Sequence, residues 1–254
     1  MAQRIMTAII GIPIFLAGVY FGGTFWKITV FFLILVGLLE FARMAGPGIY
    51  LDYLLVSGLS FLLITYSGIT GSKLLIWLAS QTIYYVVRAS FGGMHNFSNA
   101  FNLLGVLYVA VPLSFLWIVR SQFGLVWTIF GVGVTWLTDS GAYFGGSRYG
   151  KRKLVPNISP NKTVEGSLWG IASALVGAVV FAVSTQKPLG LVCLLALILS
   201  SVAQLGDLAE SSFKRERAVK DSGSLLPGHG GILDRFDSLS FVFPMLFIFL
   251  TLLF

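Results

Sequence analysis

The chain consists mainly of apolar runs of about 20 residues, the length that a helix needs to cross a hydrocarbon core about 30 Å thick. Of its 254 residues, 56% are hydrophobic and only 11% are charged, whereas a soluble domain carries roughly 25% charged residues. We therefore predict an all-α, polytopic integral membrane protein with about nine transmembrane helices. The predicted spans are residues 6–21, 25–44, 49–65, 73–87, 101–119, 123–145, 164–183, 189–209 and 239–254.

Lysine and arginine are distributed unevenly between the loops that join these spans. With nine spans, 13 of the 17 basic residues fall on one side of the membrane and four on the other. Because basic residues are enriched in cytoplasmic loops, the larger set marks the cytoplasmic side. We expect the N-terminus inside, the C-terminus outside and no cleavable signal peptide. The net charge of +7 follows from this topology and does not indicate nucleic-acid binding.

Acidic residues are concentrated in the second half of the chain. Eight of the ten lie between Asp139 and Asp237, and the first half contributes only two, Glu40 among them. Ionisable residues at membrane depth are costly and usually serve a function. We therefore predict a membrane scaffold in residues 1–122 and a catalytic part in residues 123–254.

Two polar segments of the second half, residues 136–166 and 204–238, lie on the same predicted side of the membrane. Their side chains are therefore expected to converge on one pocket that faces the cytoplasm. In the second segment, Asp207 ends an apolar run, and Asp234 and Asp237 stand three residues apart at the start of the last span. Residues three and four apart share a helical face, which places Glu210, Ser211 and Lys214 on the face of Asp207.

A turn rich in glycine separates these two groups of carboxylates and contains Pro227, Gly228, Gly230 and Gly231. Its backbone N–H groups are suited to approach phosphate oxygens. Carboxylate oxygens suit Mg²⁺, which proteins commonly hold with one or two carboxylates together with substrate phosphates. The segment therefore predicts a site for a metal-bound polyphosphate.

Other interpretations explain less of this pattern. A solvated loop with ordinary salt bridges remains an alternative, above all for the charged run 214–217. Gly145, Gly150 and Lys151 have P-loop spacing, but Arg152 replaces the Ser or Thr that binds Mg²⁺ there, so we reject a P-loop. A transporter would place ionisable residues near the bilayer midplane, whereas these lie at the predicted cytoplasmic border.

Residues 211–237 resemble the signature of the CDP-diacylglycerol synthases, also called phosphatidate cytidylyltransferases. The family pattern is a serine, an apolar residue with Lys-Arg, then Lys-Asp, Pro-x-His-Gly-Gly and Asp-Arg-x-Asp. The matching residues are Ser211, Phe213, Lys214, Arg215, Lys220, Asp221, Pro227, His229, Gly230, Gly231, Asp234, Arg235 and Asp237. The segments DSGAY, KLVPNISPNKT and GDLAES also resemble the family, whereas the first half does so only in hydrophobic character. A CDP-alcohol phosphotransferase, which also uses carboxylates and Mg²⁺, is disfavoured because its Asp-Gly and Ala-Arg pattern is absent.

The resemblance implies an Mg²⁺-dependent enzyme that transfers CMP from CTP to phosphatidic acid, giving CDP-diacylglycerol and pyrophosphate. It implies a location in the cytoplasmic (inner) membrane, in contact with membrane lipids. The other candidate partner is a second copy of the chain, in a homodimer. The implied catalytic residues are Asp207, Asp234, Lys220 and Asp221, and the metal ligands are Asp207, Asp234 and Asp237, with Asp237 and Asp221 as candidates for a second cation. The implied substrate-binding residues are Lys162, Lys214, Arg215 and Lys220 for phosphates, His229, Gly230 and Gly231 for the nucleotide, and Asp139 and Tyr143 facing the same pocket.

Overall fold

The computed structural model describes residues 2–45, 54–59, 61, 71–91, 96–223 and 230–253. Over these ranges the chain is almost entirely helical, with one short β-hairpin, so the all-α prediction is confirmed. The chain divides into two compact units. The first comprises Met1–Ile118 and Asp221–Leu233, and the second comprises Val119–Lys220 and Asp234–Phe254.

The first unit is built on helices from the N-terminal half of the chain. Its described helices are α1 (Ala2–Phe21), α2 (Gly23–Ala45), α3 (Gly71–Phe91), α4 (Asn96–Gly105) and α5 (Val111–Gln122), of which α5 ends beyond the unit boundary. Two π-helical segments, Leu54–Leu59 and Val106–Ala110, accompany them. Helix α2 forms the centre of this unit, because Trp26, Ile34, Leu38 and Phe41 on it are completely buried.

Trp26 shows how this core is held together. The indole is fully buried, its Nε1–H donates to the backbone oxygen of Leu116 at 3.1 Å, and its ring meets the ring of Phe15 edge-on at 5.3 Å. A buried indole needs a partner for its one polar group, and a carbonyl of α5 supplies it. Phe41, farther along α2, stacks on Phe101 at 4.6 Å. The described residues Phe15, Phe101 and Leu116 of the first unit therefore pack on α2.

The second unit contains the helices that follow α5 and the hairpin between them. Its elements are α6 (Gly124–Tyr149), β1 (Lys153–Val155), β2 (Ser159–Thr163), α7 (Val164–Thr185), α8 (Leu189–Glu216) and α9 (Leu233–Leu253), which enters the unit at Asp234. The two strands are antiparallel and pair Lys153 with Thr163 and Val155 with Ser159. This hairpin connects α6 to α7.

Helices α6 and α7 approach closely through small residues. A Cβ added at Gly170 would lie 2.8 Å from the backbone oxygen of Thr138, and one added at Gly166 would lie 2.9 Å from that of Ala142. Both distances are shorter than real Cβ contacts, so only glycine fits at these positions. Small residues four apart are a common way for membrane helices to bring their backbones together. The pair α6–α7 therefore forms a rigid base for the hairpin.

Five helices in the described part of the chain are long and apolar enough to cross a membrane. They are Gly23–Met44, Phe101–Gln122, Val164–Thr185, Leu189–Glu216 and Leu233–Leu253, and α1 contributes a shorter apolar stretch, Ile9–Phe21. These five helices support an integral membrane protein, but among the described residues they are fewer than the nine predicted spans. The predicted third span, 49–65, lies largely outside the described residues, and α6, which covers the predicted sixth span, is not among the five.

The two helices that carry Asp207 and Asp234 extend beyond the limits predicted for their spans. Helix α8 continues to Glu216 instead of ending near residue 209, and α9 begins at Leu233 instead of residue 239. The prediction used the ends of apolar runs, but both helices continue through charged residues that pair with one another. Asp207, Asp234 and Asp237 therefore lie within helices, whereas Asp221 lies outside them.

Candidate functional site

Two side-chain caps fix the hairpin between α6 and α7. Thr163 precedes α7 with an extended backbone, and its Oγ1 accepts from the N–H of Gly166 at 3.1 Å, which is an N-cap. The carboxylate of Glu165, in the first turn of the same helix, accepts from the N–H groups of Lys151 at 2.9 Å and Arg152 at 3.1 Å. Both ends of the hairpin are therefore attached to the start of α7, which limits the positions open to Lys162 on β2.

Lys162 connects this hairpin to α8. Its Nζ lies 2.7 Å from Oδ2 of Asp207, and the two side chains are 25% and 35% exposed. Arg215, two turns farther along α8, donates from Nε to the backbone oxygen of Ile158 at 3.2 Å, next to β2. The two polar segments marked in the sequence therefore meet in the structure, through one ion pair and one hydrogen bond.

Lys214 connects α8 to α9. Its Nζ lies 2.9 Å from Oε2 of Glu210, one turn earlier on α8, and 2.6 Å from Oδ1 of Asp234 in the first turn of α9. Glu210 is nearly inaccessible, with 1% of its side chain exposed, and Asp234 is 8% exposed. Because water screens buried charges little, this three-residue network holds the two helices firmly.

The backbones of α8 and α9 also meet beside Asp207. A Cβ added at Gly206 would lie 2.7 Å from the backbone oxygen of Asp237 and 3.0 Å from the ring of Phe241. Glycine at this position allows α9 to approach α8 within the reach of short acidic side chains. The Oδ1 atom of Asp237 accepts from the N–H of Ser238 at 2.6 Å.

Asp139 on α6 adds a further carboxylate to this group. Asp139 lies near enough to Asp237, Asp207 and Lys162 for its charge to interact with theirs. Asp237 in turn interacts with Asp207 and Lys214, and Glu210 with Asp237 and Asp234. The site therefore gathers five acidic side chains and two lysine ammonium groups, and carboxyl oxygens are suitable ligands for a cation. The five acidic residues are Asp139, Asp207, Glu210, Asp234 and Asp237.

The donor set fits Mg²⁺ bound together with a substrate. Oε1 of Glu210 is buried within hydrogen-bonding reach of Asp237, so this oxygen needs either a proton shared by the two carboxyl groups or a cation. Within those residues no group of three or more His, Cys, Asp or Glu side chains is arranged to enclose a metal by itself. Mg²⁺ usually takes one or two carboxylates and completes its shell with phosphates and water, which this arrangement allows.

The other residues of the predicted site have different surroundings. Tyr143 is 71% exposed, with its ring 5.3 Å from that of Phe144, and Lys220 and Asp221 are also exposed. Gly230 has φ +82°, a backbone conformation that favours glycine, whereas Gly231 is buried. Pro227, Gly228 and His229 lie outside the described residues.

Two buried acidic residues were not among the predicted site residues. Glu210 was visible three residues after Asp207, but the spacing did not show that its carboxylate is buried between Lys214 and α9. Glu40 comes from α2, far away in the sequence, and accepts from the N–H groups of Ile232 and Leu233 at 3.0 Å each. Its position in an otherwise apolar run was the one sequence signal for a special role.

Comparison with known proteins places the chain in a family. Residues 2–253 match the model described as "Cytidylyltransferase family". The phosphatidate cytidylyltransferase of Bacillus subtilis (strain 168) is 40% identical, with 99% of this chain and 98% of the relative covered. The enzymes of the same name from Staphylococcus haemolyticus (strain JCSC1435) and Staphylococcus aureus (strain COL) are 40% and 39% identical, each with 97% of both chains covered. The resemblance seen in the signature is confirmed, and the chain belongs to the cytidylyltransferase family.

Proposed function

We propose that this protein transfers CMP from CTP to phosphatidate and releases pyrophosphate, which makes CDP-diacylglycerol for phospholipid synthesis. The observation that carries the proposal is the network Glu210–Lys214–Asp234 beside the pair Lys162–Asp207. It combines carboxylates for a cation with ammonium groups for phosphates, on helices apolar enough to lie in a membrane with a lipid substrate. Relatives that match nearly the whole chain carry the matching name.

The reaction needs no strong base. A phosphate oxygen of phosphatidate attacks the α-phosphorus of CTP, and the bond between that phosphorus and the oxygen bridging to the β-phosphorus breaks. Pyrophosphate leaves with the bonding electron pair, and CMP stays attached to the lipid phosphate. The attacking group is already an anion near neutral pH, so the enzyme has to position two anions and neutralise their repulsion.

The two lysines are suited to this task. Lys162 and Lys214 are held by their carboxylate partners at 2.7 Å and 2.6 Å, which fixes each ammonium group before substrate arrives. We assign them to phosphate oxygens, with Arg215 at the exposed edge. An ammonium ion has three N–H donors and can contact a phosphate while it keeps a carboxylate partner.

Asp207 and Asp234 are the proposed ligands of Mg²⁺, with Glu210 as a further oxygen donor. When bound, Mg²⁺ supplies charge neutralisation of the triphosphate and stabilisation of the leaving pyrophosphate. The carboxylates of Asp207 and Asp234 repel a polyphosphate unless a cation intervenes, so we infer that the nucleotide binds as its metal complex. Asp237 and Asp221 remain the candidates for a second cation, and Lys220 and His229 keep their predicted roles as hypotheses.

We further propose that the site faces the cytoplasm of a bacterial cell from the inner membrane, with nine spans and the N-terminus inside. The bias of basic residues supports this orientation. The test uses single cysteines at Asn157 and Ser212, both exposed, in a chain in which Cys193 is replaced by Ala. Both should react with an impermeant reagent only from the cytoplasmic side. Reaction from the outer side at either position contradicts the orientation.

The reaction itself is tested with purified protein in detergent, CTP, phosphatidate and Mg²⁺. We expect pyrophosphate and CDP-lipid in equal amounts. ATP in place of CTP, and diacylglycerol in place of phosphatidate, serve as matched controls that should give neither product. Pyrophosphate release without lipid, or equal release with ATP, contradicts the proposal.

A further inference from the structure

Glu40 is a buried carboxylate on α2, a helix with few charged residues. It is the one acidic residue of α2, and only 2% of it is exposed. Its Oε1 accepts from the N–H of Ile232 and its Oε2 from the N–H of Leu233, both at 3.0 Å. The hydroxyl of Ser222 donates to Oε2 at 3.3 Å. A charge buried in a candidate membrane span is costly and usually functional, and here two backbone N–H groups and a hydroxyl donate to it.

Through these contacts Glu40, a residue of α2, caps the N-terminus of α9. The first N–H groups of a helix have no partner inside it, and α9 begins at Leu233. A carboxylate at this end is favourable because it accepts these hydrogens and opposes the positive end of the helix dipole. Glu40 therefore helps to fix the residue at which α9 starts.

Two glycines next to Glu40 leave the space that its carboxylate occupies. A Cβ added at Gly223 would lie 2.6 Å from Oε1 of Glu40, and one added at Gly231 would lie 2.7 Å from its Cδ. Both positions therefore admit the carboxylate only while they lack a side chain. The N–H groups of Ile232 and Leu233 donate to this carboxylate. These two hydrogen bonds hold the loop in place.

We propose that Glu40 is a positioning residue for the transfer reaction: by holding Ile232 and Leu233 it sets the place of Asp234, the next residue of α9. The inference rests on the proposed function, because Asp234 is there assigned to the metal and the phosphates. Glu40 itself acts through the backbone. The apolar first half of the chain thus supplies one residue that positions a carboxylate of the signature.

The first test follows hydrogen exchange of backbone amides in purified protein without substrates. In Glu40→Gln, one of the two N–H groups faces an amide NH₂ instead of an acceptor, so exchange at Ile232 and Leu233 should become faster. Glu165→Gln is the matched control, because it disturbs a carboxylate that also holds two backbone N–H groups, those of Lys151 and Arg152. Exchange at Ile232 and Leu233 that is unchanged in Glu40→Gln overturns the proposal.

The second test is a double-mutant cycle on turnover. Replacing a residue that orients a ligating carboxylate typically costs about 10-fold or more, so Glu40→Gln should lower kcat about tenfold with a smaller effect on the KM for CTP. In the Asp234→Asn background the same change should cost less than about threefold, because contacting or coupled residues are not additive. Equal losses in both backgrounds would assign Glu40 to the fold alone and overturn the proposal.

A further variant covers the case in which Glu40→Gln does not fold. Glu40→Asp keeps the charge and both acceptors but shortens the side chain by one methylene, and both tests are then run on it. Thermal unfolding in detergent is recorded for every variant. Hydrogen exchange needs neither CTP nor lipid, so its result stands whether or not the proposed reaction is correct. Failure of the positioning role can therefore be distinguished from failure of the proposed function.

Discussion

The ammonium nitrogen of Lys214 lies 2.6 Å from Oδ1 of Asp234 and thereby joins α8 to the first turn of α9. The same nitrogen lies 2.9 Å from Oε2 of Glu210. The side chains of Lys214, Asp234 and Glu210 are 13%, 8% and 1% exposed. One cation therefore balances two carboxylates in a region that water hardly reaches.

Replacing Lys214 by Met should destabilise the protein strongly. Methionine keeps most of the length of the side chain but leaves Glu210 and Asp234 without their shared cation, and breaking a buried ion pair from one side costs about 3–5 kcal/mol. We expect a clearly lower unfolding temperature in detergent. Adding Glu210→Gln to Lys214→Met should recover part of the loss, because it removes one of the two unbalanced charges.

Lys162→Met is the matched control for this prediction. Lys162 and Asp207 form an equally short ion pair, but their side chains are 25% and 35% exposed. Pairs nearer to solvent contribute about 1 kcal/mol or less, so this variant should unfold at nearly the temperature of the parent. Equal destabilisation by the two lysine variants would contradict the role of burial.

Asp234→Asn should reduce turnover about 100-fold, which corresponds to about 2.7 kcal/mol of transition-state stabilisation. The amide keeps the size of the side chain but loses the negative charge assigned to Mg²⁺. The fold should survive, because Lys214 keeps Glu210 as its partner. Glu216→Gln, which neutralises an exposed carboxylate at the end of α8, should turn over like the parent. Turnover of Asp234→Asn within a few-fold of the parent at limiting Mg²⁺ would remove Asp234 from the metal site.

A chelator should abolish turnover, and added Mg²⁺ should restore it. Mn²⁺ prefers the same oxygen ligands and reports its binding by electron paramagnetic resonance without any substrate. Glu210→Gln exchanges one carboxyl oxygen for an NH₂ group that cannot ligate a cation, so it should weaken Mn²⁺ binding at least about tenfold, whereas Glu216→Gln should bind as the parent does. Full turnover in the chelator, or unchanged Mn²⁺ binding in Glu210→Gln, would contradict the assignment.

Hydropathy and the signature together predicted much of this arrangement. Apolar runs mark helices in a bilayer because the backbone has no other partner there, which is why the starts of α7 and α8 agree with the predicted spans. The convergence of Lys162 with Asp207 followed from placing two polar segments on one side. The hairpin was missed, since Pro160 lies in β2 and proline in a run argues against a strand. The strands tolerate it because their paired residues are Lys153 with Thr163 and Val155 with Ser159.

The contact of Glu40 with the start of α9 could not be predicted from the sequence. Its partners Ile232 and Leu233 are 192 and 193 residues away, and no local periodicity relates positions so far apart. The burial of Glu210 is a similar case, because spacing shows which residues share a helix face but not what covers that face. Both features depend on tertiary packing, which a single sequence does not encode in a readable pattern.

Gly206→Ala should lower turnover because it separates the two helices that carry the acidic residues. The added methyl group would lie 2.7 Å from the backbone oxygen of Asp237, and a backbone atom cannot move aside as a flexible side chain can. Overpacking of this kind costs about 1–3 kcal/mol, and the shift of α9 would carry Asp237 away from Asp207. Gly190→Ala is the matched control, since it lies on the same helix and its Cβ would meet nothing within 4 Å. Turnover and unfolding temperature are measured for both variants in detergent. If Gly206→Ala matched Gly190→Ala in both, close contact between α8 and α9 would not be a requirement of the site.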